Sequence, residues 1–256
     1  MNLKTVKPGY LTIAASNFDA RPMTYLEGET RLGYEPDVAR AVCAKLGFEP
    51  VWFNVPWVDF YPTLAAKQCD VVWFNQAITE ERRTRANFTQ PYGVFDEAVL
   101  VQTKRNIYSA ADLVGLRVGG LATSTNLQLA ESFGDVEIVP FPGNDHVLPE
   151  MLEALRRGDI DALVDDELVL IAAAKIDPNL RIAFTVPTQI PFGIAVHQDN
   201  LDLLRSLDDA LTALIQEGKL AELWHCSIPE KEFPIQLLSR YQCTNGDRDE
   251  SYRKST

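Results

Sequence analysis

A polar segment, residues 75–82, follows an apolar run at 71–74 that is predicted to be a buried strand. Its last residue, Arg82, lies one turn into a helix that Thr79 is predicted to cap. An arginine at this position can direct two donors at one carboxylate, and the free N–H groups of the helix N-terminus add to the attraction. The segment is therefore a candidate carboxylate site. A solvated surface position is the alternative for Arg82, because arginine side chains are mostly exposed.

Two further polar groups stand at predicted strand ends in the second half of the chain. Ser124, Thr125 and Asn126 lie between a strand and a helix, where they serve either as helix caps or as ligand donors. The acidic run at 165–167 ends another strand, and capping the following helix needs only one of its carboxylates. Asp166 is thus available for an ammonium group. An arginine and an aspartate on opposite sides of a cleft would together hold a zwitterion.

Sequence patterns typical of common enzymes are absent. The chain has no Gly-x-Ser-x-Gly, no His-Glu-x-x-His, no P-loop and no Gly-x-Gly-x-x-Gly after a strand. None of the three histidines, His146, His197 and His225, stands at metal-ligand spacing from another. We therefore expect no catalytic residue, no metal and no cofactor.

The composition narrows the classes of partner. The formal charge of the 256 residues is −12, which repels phosphate backbones and argues against nucleic acid as a partner. Apolar residues make up 46% of the chain, enough for one large domain or two of ordinary size. No apolar run approaches the roughly 20 residues of a membrane helix. The first residues lack the apolar core of a secretory signal, which fits either a cytosolic protein or a mature fragment.

Strands and helices are predicted to alternate around these polar segments. A first set has strands at 10–15, 49–53 and 70–74 and helices at 38–46 and 60–67. After a strand at 98–102, a second set has strands at 117–120, 136–141 and 162–165 and helices at 126–133, 147–156 and 167–175. A late strand at 192–197 lacks partners in the second set and is predicted to return to the first. The pattern predicts two α/β layers with two crossings between them.

Nine short motifs occur in one order along the chain: RPMTY at 21–25, GYEPDVA at 33–39, WVDFYPTL at 57–64, CDVV at 69–72, ITEER at 78–82, NFTQPY at 87–92, LVGLRVG at 113–119, GDIDA at 158–162 and PFGIAV at 191–196. In this order they resemble the amino-acid-binding, family 3, periplasmic solute-binding proteins of ABC importers, from about residue 10 to 228. The resemblance implies a type II periplasmic-binding fold, with two Rossmann-like α/β lobes joined by hinge strands near 98–103 and 191–196. Lobe 1 would comprise 1–101 and 195–228, lobe 2 would comprise 102–194, and 229–256 would form a partly disordered C-terminal extension.

The resemblance also implies roles for individual residues. Arg82 matches the arginine that binds the α-carboxylate of the ligand, and Thr125 with Asn126 matches a loop that contacts the same group. Asp166 matches the acid that binds the α-ammonium, and Trp57 matches an aromatic position that packs on the ligand side chain. The predicted ligand site consists of Arg82, Asp166, Thr125, Asn126, Trp57, Asn75, Ala77, Phe18, Phe74 and Ser124.

Some residues depart from the family pattern. Phe74 and Asn75 stand where relatives usually have small or hydroxyl residues, and Ala77 replaces a serine or threonine donor. Ala20 stands where an aromatic residue is expected, a role that Phe18 would take over if the loop is remodelled. These departures leave open whether the ligand is a standard α-amino acid.

The resemblance leaves three functions to compare. The first is a monomeric binding protein, located in the periplasm after signal-peptide removal, that closes around an amino-acid-like solute and delivers it to an ABC permease. The second is an enzyme like cyclohexadienyl or arogenate dehydratase on the same fold, in which a cleft carboxylic acid protonates a leaving hydroxyl. The third is a receptor's sensory module. For the ligand, Trp57 and Phe74 favour an apolar or cationic group, the acids Asp19, Asp165 and Glu167 favour a cationic one, and neutral polar amino acids stay open.

The cysteines and the C-terminus add one further expectation. The cysteines are Cys43, Cys69, Cys226 and Cys243. The first two lie in apolar segments and are predicted to be buried thiols. The last two flank the final predicted helix, and a disulfide between them would tie down the tail in an oxidising compartment. Residues 245–256 are polar without periodicity and are predicted to be disordered.

Overall fold

Two five-stranded β-sheets with helices packed on them form the chain in the computed structural model, which describes residues 3–238. The first sheet has the spatial order β4-β1-β5-β12-β6, and these strands are β1 (Tyr10–Ala15), β4 (Glu49–Asn54), β5 (Val71–Val72), β6 (Asn87–Phe88) and β12 (Ala195–Val196). A separate hairpin consists of β2 (Tyr25–Glu27) and β3 (Thr30–Leu32). The second sheet has the order β11-β7-β10-β8-β9, with β7 (Gly93–Gln102), β8 (Arg117–Leu121), β9 (Glu137–Phe141), β10 (Ala162–Asp166) and β11 (Leu180–Phe192).

The helices belong to two groups that follow the sheets. Those of the first sheet are α1 (Tyr34–Leu46), α2 (Phe60–Ala65), α3 (Glu80–Arg83), α7 (Leu201–Gln216) and α8 (Lys219–Ser227). Those of the second are α4 (Thr125–Glu131), α5 (Val147–Arg157) and α6 (Glu167–Ile176). None of the helices within residues 3–238 is both long and apolar enough to cross a membrane. Cys43 and Cys69 are buried thiols, as predicted.

The parallel pairings of the first sheet explain why polar loops gather at one edge. β1 lies between β4 and β5 and runs parallel to both, and the short β5 is fully buried. Parallel strands end at the same edge of a sheet, so the loops that follow β1 and β5 lie side by side. Phe18 belongs to the first of these loops and Asn75 to the second. In the second sheet β8 and β10 are likewise parallel, which brings the loop at 122–124 beside Asp166.

The two long antiparallel strands, β7 and β11, carry the chain between the sheets. Their pairing begins with Gly93 opposite Phe192 and continues to Gln102 opposite Leu180. Residues 93–101, which the sequence analysis assigned to lobe 1, therefore form part of the second sheet. The strand was predicted to start at 98, but it begins at Gly93, and Glu97 is fully buried within it.

Contacts across the cleft show that the two sides are closed on each other. The Trp57 indole N–H donates to Thr123 Oγ1 at 3.2 Å. Asn54 Nδ2 donates to Asp145 Oδ2 at 3.3 Å. A Cβ placed on Gly143 would lie 2.7 Å from Cβ of Trp57, so a side chain at this position would push the two sides apart.

The segment after α8 joins the first side of the molecule to α6 on the second. The ring of Phe233 packs at 5.8 Å from that of Trp224, whose indole N–H donates to the carbonyl oxygen of Lys231. Lys231 forms an ion pair with Glu167, at the start of α6. Glu230 pairs with Lys175 at the other end of that helix. The predicted disordered tail and the predicted Cys226–Cys243 disulfide involve positions outside the described residues.

Gly93 is predicted to be required where the chain crosses between the sheets. A Cβ at this position would lie 2.1 Å from Cζ of Phe192, inside the contact distance of the two atoms. We expect Gly93→Ala to lower the free energy of unfolding by about 1–3 kcal/mol, the usual cost of overpacking, measured by urea denaturation. Phe192→Leu removes the atoms of the clash, so the same glycine substitution should cost less in that background. An equal cost in both backgrounds would contradict this explanation.

Candidate functional site

A cavity lies in the cleft between the two sheets. Its volume is about 40 Å³. Nine of the predicted site residues line it: Phe18, Trp57, Phe74, Asn75, Arg82, Ser124, Thr125, Asn126 and Asp166. The first five come from the side of the first sheet and the other four from the side of the second. The structure therefore brings together residues that are far apart in sequence.

Arg82 is buried at the floor of this cavity, with 5% of its surface exposed. Thr79 caps α3 by accepting a hydrogen bond from the Arg82 backbone N–H, and this cap fixes where the side chain leaves the helix. Nη1 donates to the Ala77 carbonyl oxygen at 3.2 Å, and the guanidinium lies 5.5 Å from the Trp57 ring centre. Residues 3–238 offer the guanidinium no carboxylate within ion-pair distance. The alternative of a solvated surface arginine is therefore wrong.

Ala77 does not line the cavity, which differs from its place in the predicted site. It bridges to Phe192, and its methyl group belongs to the core beneath the first sheet. Its backbone carbonyl, however, accepts the Arg82 hydrogen bond. Ala77 thus positions the arginine through its backbone, because its side chain carries no polar atom.

Asn75 has a backbone conformation that turns its amide toward the second sheet. Its φ is 45°, in the left-handed region that asparagine tolerates better than most residues. Nδ2 donates to Asp166 Oδ2 at 3.4 Å, across the cleft. Oδ1 is buried and has no hydrogen-bond partner among the described residues. Buried polar atoms are rarely left unpaired, so this oxygen is an acceptor available to a ligand.

Glu35, which the sequence analysis quoted only as part of a motif, supports Asn75 from below. Its Oε2 accepts the Asn75 backbone N–H at 2.7 Å, and its Oε1 accepts the hydroxyl proton of Tyr92. Burial raises the pKa of the Glu35 carboxyl to about 7. The sequence signal for Glu35 was its position in the first turn of α1, the helix that begins after Gly33. Glu35 orients the loop and does not line the cavity.

The carboxylates Asp165 and Asp166 face the cleft at the end of β10. Asn126 Nδ2 donates to both of them, at 2.9 Å to Asp165 and 3.1 Å to Asp166. Asp165 Oδ1 also accepts the Asp166 backbone N–H at 2.8 Å. Burial raises both pKa values, to about 8 for Asp165 and about 6 for Asp166. Hydrogen bonds from Asn126 and Asn75 and the charge of Arg82 keep the pKa of Asp166 the lower of the two. Asp166 is therefore the member of the pair that ionises more readily.

A further buried carboxyl stands behind this pair. Glu97 lies opposite Asp166 in the pairing of β7 with β10 and accepts a hydrogen bond from Thr188. Burial raises its pKa to about 7, and the neighbouring charge of Asp166 acts in the same direction. Its Oε1 has no partner among the described residues. Sequence reasoning missed Glu97, because a charged residue beside Asp96 gave no sign of burial.

The loop before α4 uses most of its polar atoms for itself. Ser124 Oγ accepts the Leu127 backbone N–H at 3.1 Å and donates to the Leu121 carbonyl oxygen at 2.7 Å. Ser124 is thus the helix cap, one of the two alternatives in the sequence analysis. Thr125 Oγ1 donates to Asn126 Oδ1 at 3.1 Å, which holds the Asn126 amide with its nitrogen toward the acids.

The acids that favoured a cationic ligand have other partners. Asp19 pairs with Arg21 at 2.7 Å. Glu167 pairs with Lys231, accepts from Thr185, and does not line the cavity. Burial and the neighbouring charge of Asp166 raise the pKa of Asp165, which disfavours its ionised form. The acids therefore give little support to a cationic ligand, and the rings of Trp57 and Phe74 favour an apolar or a cationic group alike.

Aromatic rings form one wall of the cavity. The rings of Phe18 and Phe74 meet edge to face, with centres 4.7 Å apart. Phe60 packs behind Phe74 at 5.8 Å, and Trp57 stands beside Phe60 at 5.3 Å. Phe18 occupies the wall that an aromatic residue at Ala20 was expected to provide.

Comparison with known proteins places the chain in one family. Residues 11–225 match the model of the bacterial extracellular solute-binding proteins, family 3. A probable histidine-binding protein from Neisseria gonorrhoeae is 25% identical, over 85% of this chain and 82% of that protein. ABC transporter arginine-binding protein 1 from Escherichia coli K12 is 28% identical, over 75% and 81%.

Solved structures agree with this assignment. An ancestral arginine-binding protein bound to arginine superimposes with a TM-score of 0.80 at 27% identity, over 86% of this chain and 98% of that one. The predicted type II periplasmic-binding fold, with two α/β lobes, is confirmed by this likeness. The chain belongs to the bacterial extracellular solute-binding proteins, family 3.

Proposed function

We propose that the protein captures an α-amino acid in the cleft and delivers it to the permease subunits of an ABC importer. The observation that carries this proposal is a pair of buried, unmatched charges on opposite sides of one cavity. Arg82 on one side has no carboxylate partner, and Asp166 on the other has no cationic partner, among residues 3–238. A zwitterion supplies both missing charges at once.

The geometry gives each end of an amino acid its own partners. The α-carboxylate would accept from the Arg82 guanidinium and from N–H groups at the start of α4. The α-ammonium would donate to Asp166 and to the unpartnered Oδ1 of Asn75. Because these groups come from both lobes, a bound ligand would stabilise the closed arrangement over an open one.

The cellular setting follows from the relatives. One of them is named as the arginine-binding protein of an ABC transporter, and the family is described as extracellular. We therefore place the protein outside the cytoplasm, as a monomer whose closed form is recognised by the permease. A dehydratase on the same fold is the second candidate, with Asp165 as the protonated acid in the cleft.

The role of Arg82 can be tested with a matched control on the same segment. A thermal-shift screen over amino acids should find a ligand that, at about 100 times its Kd, stabilises the native state by about 2.7 kcal/mol. Arg82→Met keeps the apolar stem but removes the charge, and we expect it to abolish the shift. Arg85→Met removes a charge that pairs with Glu81 at the surface, and should leave the shift intact. An unchanged shift in the Arg82 variant would remove this residue from the site.

Turnover would decide against the transport proposal. We expect prephenate and arogenate to give no thermal shift that depends on Arg82. We also expect no dehydrated product in a steady-state assay. Formation of dehydrated product that is lost in Asp165→Asn would instead support the dehydratase candidate.

Ligand affinity should depend on pH through Asp166. Its pKa of about 6 means that the carboxyl is protonated below that value and cannot pair with an ammonium. We expect the association constant to rise by about tenfold between pH 5 and pH 7, as the ionised fraction rises, and then to level off. Isothermal titration calorimetry with proton-release analysis measures both effects.

Two variants separate Asp166 from the acids around it. Asp165 and Glu97 face it from β10 and β7, Glu35 acts from α1, and Arg82 is its cationic neighbour. The Asp166→Asn variant should bind the ligand more weakly, by about 1.5–3 kcal/mol of binding free energy. Its association constant should show no step, that is, no rise with pH near 6. Glu97→Gln should retain the step. A step that survives in Asp166→Asn belongs to another group and contradicts the assignment.

A further inference from the structure

The part of the cleft beyond the charged groups is a wall of apolar side chains. Phe18 and Phe74 form it on one side, and Val147, Leu148, Met151 and Val169 form it on the other. Each of these six is buried, with at most 8% of its surface exposed. They belong to one continuous core cluster that spans the cleft.

The polar atoms of the cavity come from a smaller set of its lining residues. Arg82, Asp166 and the free Oδ1 of Asn75 serve the carboxylate and ammonium of the proposed ligand. Ser124 Oγ is fully engaged in capping α4. After these groups are assigned, the cavity lining provides the ligand side chain with apolar contacts.

Two further carboxyl groups line the cavity, Asp165 and Asp19. Asp165 is buried beside Asp166 and accepts hydrogen bonds from Asn126 and from the Asp166 backbone N–H, and burial raises its pKa. Asp19 is paired with Arg21. Both of its oxygens accept from Nε of Arg21, and Nη2 of the same guanidinium lies 2.7 Å away. A guanidinium or ammonium on the ligand side chain would have to displace Arg21, ionise the buried Asp165 beside Asp166, or lie unpaired among apolar atoms. Burying an unpaired charge is costly, and burying an unpaired amide or hydroxyl costs less but still opposes binding.

The closed cleft is also small. The cavity volume of about 40 Å³ has room for about three water molecules. The Trp57–Thr123 hydrogen bond and the close approach of Trp57 to Gly143 fix the separation of the two sides. A side chain longer than that of methionine, such as that of lysine or arginine, would hold these contacts apart.

From the apolar wall, the paired Asp19 and the small volume, we infer that the cleft selects an amino acid with a compact, uncharged aliphatic side chain, of the size of valine, leucine or methionine. This inference rests on the proposed function, since it assumes that Arg82 and Asp166 hold the α-carboxylate and α-ammonium. It assigns specificity to Met151 and Val169 of lobe 2 together with Phe18 and Phe74 of lobe 1.

Calorimetric titration with six free amino acids tests the inference. We expect the tightest of valine, leucine and methionine to bind about 100-fold more tightly than arginine, lysine or glutamine at the same pH and salt. Binding of arginine, lysine or glutamine within about tenfold of the best aliphatic ligand would overturn the inference and leave the proposed function standing. If none of the six binds, the inference is overturned, and the thermal-shift screen over all amino acids decides the proposed function separately.

Substitutions at Met151 connect the preference to the apolar wall. Met151→Glu introduces a carboxylate there, and we expect the Kd ratio of lysine to leucine to fall by about tenfold. Met151→Leu is the matched control and should preserve the ratio. Met151→Ala keeps the wall apolar, so it tests the role of Met151 even if the glutamate variant does not fold. It should weaken leucine binding and favour phenylalanine. Equal changes for all ligands would show that Met151 acts on stability and not on selection.

Discussion

A charge removed from water must be compensated by an opposite charge or by hydrogen bonds, and the cleft of this protein leaves that requirement partly unmet. Arg82 is buried on one side and Asp166 on the other, without an ion-pair partner for either among residues 3–238. Since the two groups come from different sheets, their compensation by a ligand is possible only when the two sides are together. The electrostatics of the site and the closure of the cleft are therefore one property.

The remaining structure holds these two charges in place. Arg82 is fixed by the Thr79 cap and the Ala77 carbonyl, so its position follows from the geometry of a four-residue helix. Asp166 is fixed by the Asn126 amide, whose orientation Thr125 sets. Behind both lies a layer of buried acids that stay wholly or partly protonated near neutral pH, because burial disfavours their charged forms. The low net charge of this layer lets one ionised carboxylate face the cavity.

The sequence predicted much of this architecture, and its failures have physical causes. Apolar runs and strand-end polar residues located Arg82, Asn126 and Asp166, because parallel strands place such residues at one edge. The sequence could not predict ion pairs between residues far apart in the chain, such as that of Glu167 with Lys231, because such pairs leave no local pattern. The sequence did not predict the first residues of β7, because the burial of Glu97 leaves no sign in the local sequence. Ala77 was assigned to the site by alignment, although only its backbone contributes.

The segment that follows α8 connects the C-terminal helix to the ligand cleft. Its Lys231 is held to α8 through the Trp224 indole and to α6 through Glu167, and Glu167 is the residue next to Asp166. The segment therefore makes its contact with α6 at the residue that adjoins the carboxylate facing the cavity.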